Sequence, residues 1–70
     1  MKRYQLRFDD AKTAKMALTA LRRRGFKVFR KYVDLFIASP SYKEIDVALK
    51  SWALRRGELP EWFVIDVEKL

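Results

Sequence analysis

The chain has no histidine and no cysteine, only two glycines and two prolines, and no apolar run longer than five residues. Each absence excludes something. Histidine is the side chain most used for general acid–base work at neutral pH, and Ser39, Ser41 and Ser51 have no adjacent base to make a nucleophile. Disulfide scaffolds, zinc fingers and transition-metal sites lose their usual ligands. Two isolated glycines form no phosphate-cradling loop. A bilayer crossing takes about 20 apolar residues, and a signal peptide an apolar stretch of about 7–15, and neither pattern occurs. The expectation is a cytoplasmic, intracellular protein that is not an enzyme, has no cofactor, metal or small-molecule substrate, and makes no membrane contact.

What is present is charge and aromatic surface. The 70 residues weigh 8.4 kDa and are read as a single domain over 1–70. A chain this short buries only about 60% of its unfolded surface, so two Trp, three Tyr and five Phe contribute much of what can be buried. Sixteen Lys and Arg against nine Asp and Glu leave +7. The excess is one-sided. Residues 1–31 hold eleven Lys/Arg and two Asp, a balance of +9, and residues 32–70 hold five against seven, a balance of −2. Such asymmetry points to a directed electrostatic surface, although solubility alone accounts for a moderate net charge.

Hydrophobic periodicity lays out six elements. Tyr4, Leu6 and Phe8 alternate with Gln5 and Arg7, which predicts a half-buried strand. Asp9 or Asp10 then caps a helix over Ala11–Arg24, whose Ala14, Ala17, Leu18 and Leu21 share one face, and Gly25 stops it. Phe26–Ala38 is too long for one strand, so a hairpin turn is placed in its least apolar stretch, Arg30–Asp34. Ser41 and Glu44 read as a capping box opening a second helix, Tyr42–Arg56, with Ile45, Ala48, Leu49 and Trp52 inward and Gly57 as its stop. Trp62–Glu68 is the last strand, with Phe63, Ile65 and Val67 expected on one face. The halves echo each other, each ending its helix in Ala-Leu-Arg-Arg or a close variant followed by Gly. Strand–helix–strand twice is the ferredoxin-like split βαβ plan, α+β, with two helices on one face of a four-stranded antiparallel sheet. In that plan the first and third strands are central and the other two are edges.

The basic residues carry the functional reading. Arg22, Arg23 and Arg24 end the first helix, Lys27, Arg30 and Lys31 lie on the following edge strand, and Lys12 and Lys15 extend the stripe back along the helix. Eight cations on one side would attract nucleic-acid phosphates, DNA or RNA, through salt-dependent counterion release. Phe29 and Tyr32, interleaved with them, would stack on bases. The bland explanation of the arginine triple is helix C-terminal capping. RNA-recognition motifs resemble this topology but carry aromatics on the two central strands, where this chain has Arg3, Gln5 and Arg7 on the first and nothing like their Gly- and Phe-rich signature near Val33–Ala38. Acylphosphatases resemble it too, yet need a phosphate-binding loop where this chain has Asp9 and Asp10. Peptidoglycan-binding SPOR modules are similar in length and element order.

A second reading is a protein partner, inhibitor function or homo-oligomer. Lys43, Val47, Lys50 and Leu54 line the outer face of the second helix, and exposed apolar patches mark binding sites. Alternatively, the basic second strand and the acidic fourth, with Glu58, Glu61, Asp66 and Glu68, would pair edge to edge. Charged edges also serve to prevent such pairing. Asp66 and Glu68 are expected to face Arg3, Gln5 and Arg7 across the sheet.

Overall fold

A computed structural model describes residues 1–57 and 60–69. Glu58, counted above among the acids of the last strand, lies outside the described residues. The elements run β1 (Lys2–Phe8), α1 (Ala11–Arg23), β2 (Lys27–Lys31), β3 (Asp34–Ser39), α2 (Tyr42–Arg56) and β4 (Trp62–Lys69). The strands form one antiparallel sheet in the order β2-β3-β1-β4, so β1 and β3 are central and β2 and β4 are edges. No helix among the described residues is long and apolar enough to cross a membrane.

One face of the sheet meets both helices. Tyr4, Leu6 and Phe8 from β1, Val28 from β2 and Leu35 and Ile37 from β3 point into a core closed by Ala14, Ala17 and Leu21 of α1 and Ile45, Ala48 and Leu49 of α2. The small alanines let the helices approach the sheet closely. Strand alternation leaves the opposite face open. Arg3, Gln5 and Arg7 lie there, as the sequence pattern requires.

The local signals act as follows. Asp10, not Asp9, is the first cap: its Oδ1 accepts the Thr13 N–H at 2.7 Å, which holds its carboxyl below the ordinary carboxylate range. Gly25 and Gly57 take positive φ of 90° and 75° where the helices stop. The hairpin turns at Tyr32–Val33, with Lys31 opposite Asp34. No Asn-Gly marks this turn, and Tyr32 itself carries the positive φ, 56°.

Two expectations are corrected. Ser41 is the residue before α2 but makes no side-chain capping bond. Glu44 turns instead to Ser39, whose buried Oγ lies 3.2 Å from Glu44 Oε2 and 2.8 Å from the Ser41 carbonyl. The buried Ser39 hydroxyl has to be satisfied, and it draws the carboxylate away from the box. In β4, Phe63, Ile65 and Val67 do not share a face. A bulge at Ile65 lets Leu6 pair with Val64 while Gln5 pairs with Asp66. The extra residue shifts the alternation. Val64 and Val67 follow Leu6 and Tyr4 to the helix side, and Phe63 follows Arg7 to the open face.

Candidate nucleic-acid interface

The open sheet face is three cross-strand rows. Lys27, Ala38, Arg3 and Glu68 form the first; Phe29, Phe36, Gln5 and Asp66 the second; Lys31, Asp34, Arg7 and Phe63 the third. The middle row holds two aromatic rings stacked at 5.1 Å and tilted by 17°. Phe29 is 54% exposed and Phe36 half-buried. The rows on either side are headed by lysines.

Charge in these rows is partly neutralised. Arg7 Nε and Nη2 donate to the two carboxylate oxygens of Asp34 at 2.9 and 3.1 Å, and Gln5 Nε2 adds a third bond at 3.1 Å. The Arg7 bond lowers the Asp34 pKa, and the same bond raises that of Arg7. Arg3 approaches Glu68 only to 3.8 Å, with both side chains largely in water. Exposed pairs of that kind hold little energy, so Arg3 remains available to another anion. The expected facing of Asp66 and Glu68 with Gln5 and Arg3 is present, but Arg7 is held by β3.

The eight predicted cations do not share one side. Alternation sends Lys27 and Lys31 to the open face and Arg30 to the helix side, while Lys12 and Lys15 sit on exposed turns of α1 in the helix layer. Several also have work inside the molecule. Arg22 Nε and Nη2 donate to the Val28 carbonyl at 3.1 and 2.9 Å, closing part of the β2 edge. Arg24 Nη2 donates to Ser51 Oγ at 2.8 Å, and Arg30 Nη1 to the Tyr32 carbonyl at 2.9 Å. Among the described residues, the side chains of Lys12, Lys15, Arg23, Lys27 and Lys31 have no hydrogen bond or ion pair. Tyr32, 74% exposed, stands at the hairpin tip, away from Phe29.

What the structure does bring together is a groove of about 580 Å³ around the start of β2, lined by Met1, Arg3, Arg22, Phe26, Lys27, Val28, Phe29, Phe36 and Ala38. No carboxylate among the described residues lines it. Ala38 forms the hollow, because its methyl sits between the longer Lys27 and Arg3. Arg22, Lys27 and Phe29 were legible as candidates; Arg3 and Phe36 were missed. Phe36 was readable, since Leu35 and Ile37 facing the core puts Phe36 outward.

A second groove, about 490 Å³, lies between the helices and is lined by Ala20, Arg23, Arg24, Trp52, Arg55 and Arg56. The Arg56 guanidinium stacks over the Trp52 ring at 5.0 Å. A third, about 660 Å³, joins Arg24, Phe26 and Lys27 to Lys43 and Val47 on α2, but includes Glu44. On α2, Lys43, Val47, Lys50 and Leu54 are all exposed. Lys50 is not free: its Nζ meets Asp46 Oδ2 at 2.9 Å, and that bond raises its pKa. No cluster of three metal-ligating side chains occurs among the described residues.

No protein-family model, characterised protein or solved structure matches this chain.

Proposed function

We propose that this is a small non-catalytic module on the ferredoxin-like plan that binds nucleic acid along the start of β2. The observation that carries the reading is the groove lined by Arg3, Arg22 and Lys27, with no carboxylate among the described residues of its walls. Three cations from three elements converge there on a molecule whose net charge is +7. Phosphate oxygens are the ligand such a cradle suits: guanidinium groups offer planar paired donors and lysine a mobile point charge. Arg22 keeps free donors after its two bonds to Val28, because a guanidinium carries five N–H groups. Lys27 also lines the groove that reaches Arg24, so the positive path runs from the open face toward the helix ends. A cytoplasmic location accords with this reading.

Fluorescence anisotropy with labelled oligonucleotides at several salt concentrations tests it. Binding of micromolar strength or better near physiological salt is expected, with log K falling linearly against log salt. Lys27→Ser and Arg3→Ser should each reduce that slope by about one. Binding confined to low salt, or slopes unchanged in both variants, would remove the basis for the proposal.

A second reading, a protein partner or self-association, draws on a different observation. Phe63, Val64, Ile65 and Val67 on the β4 edge are each 43–55% exposed. An uncovered edge strand with apolar side chains on both faces offers a template for an added strand, opposed by its bulge at Ile65 and its carboxylates. The exposed face of α2 is less apt, because Asp46 already holds Lys50.

A further inference from the structure

We infer that the nucleic acid bound at β2 is single-stranded, with an unpaired base seated on the Phe29–Phe36 pair. The inference rests on the nucleic-acid reading above and names the form of its ligand.

The two rings stack against each other on an open β-sheet, one on the edge strand and one on a central strand. Exposed aromatic carbon in that position is costly to leave in water. It is not part of the core, which lies on the other side of the sheet. Each ring covers part of the other's inner face, so the stack is extended from its outer side by Phe29, 54% exposed on the edge strand, and every base has a π-face to add to it. A base inside a duplex has both faces covered by its neighbours, so only an unstacked base can use such a platform.

The surroundings suit one strand of a polyanion. Lys27 flanks the rings on one side and Lys31 on the other along the same strand, each two positions from Phe29. Two residues of β-strand span about 6.6 Å, so the lysines stand about 13 Å apart, one on each side of the rings, placed to meet phosphates on either side of a seated base. Ala38 leaves room beside Phe36 for a base edge, and Arg3 stands across that hollow. Gln5, in the same row as the rings, gives its amide to Asp34 while its carbonyl oxygen stays available as an acceptor.

The experiment compares anisotropy titrations of two labelled probes, an oligothymidylate of about twelve nucleotides and a duplex of equal length, near physiological salt. Wild type should bind the single strand at least about tenfold more tightly. Phe29→Ala and Phe36→Ala should each weaken single-strand binding by roughly five- to hundredfold and leave duplex binding unchanged. Phe29→Tyr, which keeps the ring, should retain the preference, and circular-dichroism melts of each variant separate lost stacking from lost fold. Equal affinity for both probes, insensitive to the Phe variants but reduced by Lys27→Ser, would overturn this inference while sustaining phosphate binding at β2. Failure of both probes to bind would overturn both.

Discussion

The two edges of the sheet are built on opposite terms. β2 is basic, tied to β3 by a two-residue turn, buries Val28 under the helices and has that residue's carbonyl covered by Arg22. β4 carries Glu61, Asp66 and Glu68 at or beside an edge whose apolar residues from Phe63 to Val67 are all about half exposed. The difference shows that position in the sheet does not determine burial. The helices cover β1, β3 and the inward side of β2, and the inward side of β4 extends beyond them. β2 is therefore part of the core on one face and free to present Lys27 and Phe29 on the other. β4 contributes pairing to β1 and packs at its start through Trp62, which meets the Phe8 ring and donates its Nε1–H to the Tyr42 hydroxyl at 2.8 Å, while Phe63–Val67 add little packing. Its bulge at Ile65 and its carboxylates disfavour adding another strand in regular register.

The largest consequence is a contrast in stability. Val28→Ala should cost about 1–3 kcal/mol, because it opens a cavity in a core site that is 6% exposed. Val64→Ala, at 43% exposure, should stay within about 0.5 kcal/mol. Paired chemical denaturation curves check this, and equal losses would show that β4 is as well packed as β2. If β4 self-associates, Val64→Lys should also abolish any concentration dependence in sedimentation velocity.

A smaller effect sharpens the same comparison through pH. Asp34 bridges β3 to Arg7 of β1, and its folded pKa is lowered by that bond. A lowered carboxylate pKa adds stability above the unfolded value, near 3.9, that is lost as pH falls through the folded value. Wild type should therefore lose more stability than Asp34→Asn between neutral pH and the acid range, read as melting temperature. Glu68→Gln, which removes only an exposed pair at 3.8 Å, should change the melting temperature little at neutral pH.

The smallest effect concerns the hairpin that makes β2 an edge. Tyr32 holds φ at 56°, a region where asparagine is tolerated better than a ring-bearing residue. Tyr32→Asn should stabilise the protein by about 0.5 kcal/mol, visible as a slight rise in melting temperature. A fall would mean that the exposed ring has a packing role.

Much of this architecture was legible because it depends on local rules. Alternation marked β1, and the second helix was bounded at Tyr42 and Arg56 by a serine before it and a glycine after it. The hairpin was placed by polarity alone, and its turn falls inside the expected Arg30–Asp34. Nonlocal features were not legible. A bulge leaves no mark in an unbroken apolar run such as Trp62–Ile65, since it exists only against Gln5 and Leu6. The claim of Ser39 on Glu44 depends on Ser39 being buried, which the Ser-Pro-Ser segment does not announce. For the candidate site, Lys27 and Phe29 were named from their place on one basic strand, which put Arg30 on their side too; strand alternation would have separated Arg30 and, applied to Leu35 and Ile37, would have added Phe36. That Arg22 reaches the Val28 carbonyl, and that Arg3 joins Lys27 across Ala38, require the sheet pairing itself.

The central claim is that nucleic acid meets the β2 edge and not the β4 edge. Amide chemical shifts of isotope-labelled protein, followed as an oligothymidylate is added, test it residue by residue. The account predicts shifts concentrated at Lys27–Lys31, at Phe36–Ala38 and at Arg3, with the amides of Phe63–Val67 unmoved. Shifts centred on β4, or on the Arg23, Arg55 and Trp52 groove with β2 silent, would contradict it.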